Sequence, residues 1–285
     1  MRFMMLVKAT KDFEAGVWPD EKHLSEMAKW SEEVVKAGAQ LECGRLQPSS
    51  QGARVRYANG KFTVTDGPFA ESKELIAGFS LIHAKSTDEA IEWAKRVPFE
   101  EGEIELRPLY ELCDFPVDAA EKPDGWREQE EQLRAAPPAR KPGTIRYMGI
   151  LKANRDTEAG VLPDQKSLAT MGAFMEEGVK AGVILSGEGL LPSSKGARVR
   201  FAGSKHMVTD GPFAETKELV AGYAILQFTS KAQAIEWTKR FVQVDAPLRL
   251  GGESECEIRP FVEFEDCGPS DAIEHSREVG VVTRK

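Results

Sequence analysis

A chain of 285 residues, 41% hydrophobic and 29% charged, has room for two ordinary domains and enough apolar material to fill both cores. Its formal charge of -8 excludes a broad nucleic-acid footprint, which needs clustered Lys and Arg against phosphates. It contains no membrane-length apolar run, and Met1 leads straight into a strand-like segment without signal-peptide features, so a cytoplasmic protein is expected.

In chain order, Phe3 to Ala9 reads as an apolar strand. Pro19-Asp20 then introduces a helix with Asp20 as its cap, Leu24, Met27, Val34 and Val35 on its inner face, and Gly38 as its stop. Strands follow at Ala39 to Leu46, Arg54 to Tyr57, Phe62 to Thr65 and Leu75 to Ala84, with Asn59-Gly60 signalling a hairpin. A second helix starts near Ser86 and carries Ala90, Trp93, Ala94 and Val97 at helical spacing. A closing strand runs through Ile104, Leu106 and Leu109.

Adding 144 to these numbers reproduces the pattern. Gly52-Ala53-Arg54-Val55-Arg56 recurs as Gly196-Ala197-Arg198-Val199-Arg200, and Thr65 to Glu71 recurs intact as Thr209 to Glu215. Near the last strand the offset grows to 152, because eight extra residues around Asp245 to Gly252 enter the second copy; a surface loop is expected there. The chain thus divides into a first unit at 1–115, a linker at 116–143 with a short helix near Asp124 to Arg134, a second unit at 144–266, and a loosely attached tail at 267–285.

The strand and helix order of each copy is βαββαβ, a ferredoxin-like α+β unit with an added hairpin. Both helices of such a unit cover one sheet face, so the other needs cover. The expectation is two tandem units packed sheet to sheet as an intramolecular pseudo-dimeric α+β barrel enclosing a cleft between the sheets. Two independent beads on a linker is the alternative.

The segment Val64-Thr65-Asp66-Gly67-Pro68-Phe69-Ala70-Glu71 and its repeat at Val208 to Glu215, with the Gly187-Glu188-Gly189-Leu190 stretch, resemble the branch of the YCII-related family named for its Asp-Gly-Pro-Phe (DGPF) motif. Copy one departs at Cys43-Gly44-Arg45-Leu46. The resemblance implies the dimeric α+β-barrel superfamily. It also implies a loose set of functions: cofactor-free chemistry with a His/Asp pair in some relatives, dehalogenation or lactone processing in a few, and genes lying beside those of extracytoplasmic-function sigma factors. A sigma-factor-type protein partner or a sensing role is an expectation from that resemblance alone.

Asp66 and Asp210 end strands ahead of a Gly-Pro turn, where a carboxylate can face a cleft; as turn-forming residues they are equally well explained. Arg54 and Arg56, and Arg198 and Arg200, share a strand face and could hold an anion by bidentate contacts, or lie on a solvated face paired with Glu71 and Glu74. Lys8 and Lys152, which end the first strand of each copy, could complete an anionic-ligand pocket, or be lysines that simply leave the sheet. His23, at the head of the first helix, resembles in its place the proposed catalytic histidine of YCII-type relatives, with Ser167 as its counterpart, and is otherwise an exposed first-turn histidine; Glu188 has no carboxylate opposite it at Gly44.

No HxxxH, HxH or CxxC pair is present, so no metal site and no cofactor are expected. The leading expectation is binding or sensing of a small anionic molecule in the inter-sheet cleft. A cofactor-independent lyase or isomerase using Asp or His23 for proton transfer is the alternative, and a structural or interaction module with a side-chain-filled cleft is the third. Further homo-oligomerisation is left open.

Overall fold

A computed structural model describes residues 1–70, 75–111, 114, 140–213, 219–249, 251–263, 266–267 and 270–278. The expected helix at Asp124 to Arg134, most of the linker, Cys113, Glu71 and Glu74 lie outside that set. In copy one the elements are β1 (Arg2–Lys8), α1 (Lys11–Glu14), α2 (Glu21–Lys36), β2 (Gln40–Arg45), β3 (Ala53–Ala58), β4 (Lys61–Asp66), β5 (Ile76–His83), α3 (Thr87–Lys95) and β6 (Glu101–Pro108). Copy two supplies β7 (Ile145–Lys152), α4 (Arg155–Glu158), α5 (Gln165–Lys180), β8 (Ile184–Gly189), β9 (Ala197–Ala202), β10 (Lys205–Asp210), β11 (Val220–Phe228), α6 (Lys231–Asp245) and β12 (Ser254–Pro260), followed by α7 (Asp271–Glu278).

Local chemistry sets most boundaries. Asp20 accepts the His23 backbone N–H at 2.8 Å, and Asp164 accepts that of Ser167 at 2.8 Å, each satisfying an orphan donor of a helix start. Ser86 and Ser230 cap α3 and α6 in the same way. Asn59 and Gly60, at φ 52° and 75°, form the left-handed pair that a two-residue hairpin requires.

Each copy contributes a ferredoxin-like four-strand core in the order β6-β1-β5-β2 or β12-β7-β11-β8. The hairpins, however, are exchanged. β9–β10 of copy two extends the copy-one sheet by pairing β9 with β6, and β3–β4 of copy one extends the copy-two sheet by pairing β3 with β12. Two six-stranded antiparallel sheets result, ordered β10-β9-β6-β1-β5-β2 and β4-β3-β12-β7-β11-β8. Independent beads are thereby excluded.

The sheets lie face to face. Met4, Leu6, Phe79 and Leu81 of one meet Met148, Ile150, Tyr223 and Ile225 of the other in a shared core. Alternate residues point outward: Phe3, Met5 and Ile104 pack beneath Trp30, Val34, Ile91 and Ala94 of α2 and α3, as the two-residue period of a strand demands. Copy two repeats this with Tyr147 and Ile258 under Ala234 and Trp237.

Three expectations need correction. The sheets do not close into a barrel; two short bridges, Leu46 to Phe261 and Leu109 to Leu190, join them at opposite corners. The eight extra residues of copy two do not form a simple loop: α6 continues to Asp245 and a 3-10 turn, and buried Asp245 accepts from Ser254 Oγ at 2.6 Å and pairs with Arg249. The tail is not loose throughout, because α7 packs along α2 of the opposite copy. Ser270 Oγ donates to Glu21 at 3.1 Å, and His275 lies 3.1 Å from Glu32.

Candidate functional site

Ala53, Val55, Ala197 and Val199 face the helices, so the intervening Arg54 and Arg198 face the opposite sheet. Glu105 and Arg107 on β6, Glu257 and Arg259 on β12, and Lys8 and Lys152 at the ends of β1 and β7 lie on the same inward faces. They gather into two pseudo-equivalent ionic clusters, each drawing on both copies.

In the first, Glu105 is fully buried and accepts from Lys8 at 3.0 Å, Arg107 at 3.1 Å and Arg198 at 3.0 Å. Arg107 continues to Glu158 at 3.3 Å and to the Leu191 carbonyl. In the second, Glu257 meets Arg54 at 2.9 Å, Arg259 at 3.1 Å and Lys152 at 3.6 Å, while Arg259 reaches Glu14 at 3.4 Å.

Burial alone would raise the Glu105 carboxyl. Lys8, Arg107 and Arg198 together outweigh burial and hold it at about 2. Glu257 is depressed for the same balance of reasons, against Lys152, Arg259 and Arg54. The Lys152 ammonium is lowered, first by burial and then by Arg54 and Lys8, with Glu257 opposing. In each cluster the cations and carboxylates contact one another directly within a packed interface, which gives them the character of a scaffold.

The Asp-Gly-Pro-Phe turns complete the scaffold. Phe69 and Phe213 are buried, and Arg54 and Arg198 stack on their rings at 4.2 and 4.1 Å. Glu14 and Glu158 hold the Ser49 and Ser193 hydroxyls, which accept the Phe69 and Phe213 backbone N–H groups. A Cβ on Gly67 or Gly211 would stand 1.9 Å from the Ser49 or Ser193 carbonyl oxygen, so only glycine fits there.

Of the residues singled out in sequence, Arg54, Lys152, Arg198 and Lys8 therefore come together. The others do not join them. Asp66 is 70% exposed and pairs with Lys231 at 2.7 Å, and Asp210 is also exposed. His23 lies on the helical side, its ring stacked 5.9 Å from that of Phe99. Glu188 bonds Arg2 at the Leu109–Leu190 corner. Sequence reasoning missed Glu14, Glu105, Glu158 and Glu257. For Glu105 and Glu257 the signal was a charged residue repeated in both copies at alternate positions of an otherwise apolar strand, as in Ile104-Glu105-Leu106-Arg107; for Glu14 and Glu158, which end α1 and α4, it was only the recurrence of an acid at the offset of 144.

The corner at Leu46 and Phe261 differs from its twin. A cavity of about 280 Å³ opens there, walled by Phe13, Trp18, Pro48 and Val262, with Arg45 and Asp266 as its charged residues. The Arg45 guanidinium lies 5.2 Å from the Phe13 ring centroid and 5.1 Å from that of Trp18. Its N–H donors meet no acceptor among the described residues, and burial lowers its pKa. At the twin corner Gly189 replaces Arg45, and Tyr110 replaces Val262 and packs over it, a Cβ on Gly189 standing 3.1 Å from the Tyr110 ring.

Comparison with known proteins agrees with the duplicated architecture. A family model described as the YCII-related domain matches residues 1–113 and again 145–262. The chain belongs to the YCII-related family. It is also 37% identical over 93 residues to an uncharacterized protein of Rhizobium meliloti (strain 1021), a stretch covering 32% of this chain and 75% of that protein. The relative is thus about as long as one YCII-related copy, and this chain carries two. Among the described residues of this family member, no helix is long and apolar enough to cross a membrane.

Proposed function

We propose that this YCII-related protein binds a small anionic molecule, in the cavity at the Leu46–Phe261 corner and not in the middle of the inter-sheet space. The observation that carries the reading is Arg45: a half-buried guanidinium close to two aromatic rings, lining a cavity with no acceptor for its in-plane donors among the described residues. A planar fork of that kind matches a carboxylate or phosphate bidentately. The volume lies at the small end of ligand sites, whereas in the charged clusters between the sheets the buried Glu105 and Glu257 already engage the cations around them.

The test is calorimetric titration of the full chain with a panel of small carboxylates and inorganic phosphate, beside Arg45→Gln. Saturable binding by the wild-type chain that falls at least tenfold in the variant is the expected result. Equal binding by both, or none by either, overturns it.

Placement in the DGPF branch, and a sigma-factor-type partner that would receive the binding signal, belong to the same proposal and rest on the two intact motifs. A second reading, an interaction module without a ligand, is favoured by the filled inter-sheet core, and it is what remains if no anion binds. The lyase or isomerase alternative draws no support from the geometry, since Asp66, Asp210 and His23 lie apart from the Arg and Lys clusters.

A further inference from the structure

Resting on the reading of the Arg45 cavity as an anion site, we infer that its ligand is a small zwitterion of amino-acid type, bound once per chain. The cavity carries two opposite charges, Arg45 and Asp266. They form no ion pair with each other; Arg45 lies 5.2 and 5.1 Å from the Phe13 and Trp18 ring centroids, and one Asp266 oxygen accepts the Glu263 backbone N–H at 2.9 Å. Two uncombined opposite charges on one small site are best complemented by a ligand carrying both, a carboxylate for Arg45 and an ammonium for the free Asp266 oxygen. A ligand without a carboxylate would cover the partly buried Arg45 guanidinium without giving it a partner, which is costly, and one without an ammonium would leave the exposed Asp266 carboxylate to solvent and gain nothing from it. Between them, Phe13, Pro48 and Val262 offer an apolar wall for a compact side chain.

The single stoichiometry follows from the other corner. Phe13, Trp18, Arg45 and Val262 correspond in the repeat to Thr157, Leu162, Gly189 and Tyr110. There a glycine stands in place of Arg45, the Arg2 cation is paired with Glu188 and Glu111, and the tyrosine ring lies against Gly189. Tyr110 acts as a built-in plug, and the chain itself shows that a tyrosine at this position is compatible with the fold. The variant Val262→Tyr transplants that plug into the open corner.

The experiment is calorimetric titration of the full chain with L-leucine and L-phenylalanine, with the deaminated counterparts 4-methylpentanoate and 3-phenylpropanoate, and with the two amino-acid methyl esters. One amino acid is expected to bind at one site per chain, with its deaminated acid and its ester each at least tenfold weaker. Asp266→Asn should bring the amino acid down to the affinity of the deaminated acid. Val262→Tyr should abolish binding while keeping the wild-type circular dichroism spectrum.

Deaminated acids that bind as tightly as the amino acids, still dependent on Arg45, overturn the zwitterion and leave the anion site standing. Amino acids that fail while another anion binds through Arg45 do the same. Absence of Arg45-dependent binding by every carboxylate and by phosphate overturns both. Two equivalent sites per chain, or full binding by Val262→Tyr, overturn the assignment to one corner.

Discussion

Glu105 has no exposure and three cations within 3.1 Å, so its removal strands charge and leaves no benign cavity. Replacing one member of a buried ionic group commonly costs ~3 to 5 kcal/mol. Glu105→Gln is expected to destabilise the protein by that order in urea unfolding, whereas Asp66→Asn, at an exposed pair, should cost less than about 1 kcal/mol. The pH dependence has a definite sign. The folded Glu105 carboxyl sits at about 2 against an unfolded value near ~4.3, so its contribution is complete above the unfolded value and is lost as pH falls from there toward 2. Glu257 is depressed as well and acts in the same direction. Unfolding followed from neutral pH into acid should show stability falling steeply over that window, with a shallower fall in Glu105→Gln. An equal slope in the two proteins would contradict the account. At this scale the sequence revealed the residue types and not their orientation. Arg54 and Arg56 share a strand face whichever way the strand is turned, as do Arg198 and Arg200, and only the register, set by Ala53 and Val55 or Ala197 and Val199 under the helices, sends Arg54 and Arg198 inward.

Among the elements, those fixed by local chemistry were legible in the residues themselves: the Asp20 and Ser86 caps, the Asn59-Gly60 turn, and the stops at Gly38 and Gly182, with φ 67° and 63°. α7 was not. Its sequence is polar, and its attachment depends on Glu21 and Glu32, which sit on α2 in the other copy. Its principal buried apolar residue is Ala272, so the helix adds modest stability. Deleting residues 270–285 is expected to lower the melting temperature by a few degrees, the shift corresponding to ~1 to 2 kcal/mol in a chain of this size. His275→Ala alone should have a smaller effect, as its contact with Glu32 is largely solvated. A truncated chain that melts with the full-length protein would show that α7 is not held against α2.

For the whole molecule, the exchange of hairpins was hidden by the repeat itself. Ala53-Arg54-Val55-Arg56 and Ala197-Arg198-Val199-Arg200 are interchangeable as β-ladder partners, so the pattern cannot tell which sheet receives which hairpin. The backbone between β2 and β3 decides it. After Arg45 the chain crosses to the other sheet, where Gln47 N–H donates to the Pro260 carbonyl at 2.8 Å and the Gln47 carbonyl accepts from Arg259, leaving β3 beside β12. A fragment of residues 1–115 therefore has a hairpin without its receiving sheet and a β6 edge without its hairpin. Its expected state is a dimer of two fragments that exchange hairpins with each other, read by light scattering at micromolar concentration. A stable, folded monomer would mean that the hairpin returns to its own sheet and that the exchange is not intrinsic to the copy.

The duplication also loosens a constraint that identical subunits cannot escape. Were one copy to assemble with an exact replica of itself, every substitution would appear at both corners: a plug such as Tyr110 would shut both, and a cation such as Arg45 would enter both. Joining the copies in one chain makes the two corners separately heritable, so one can be sealed as a hinge of the scaffold while the other drifts toward a new ligand without endangering the clusters that hold the sheets together.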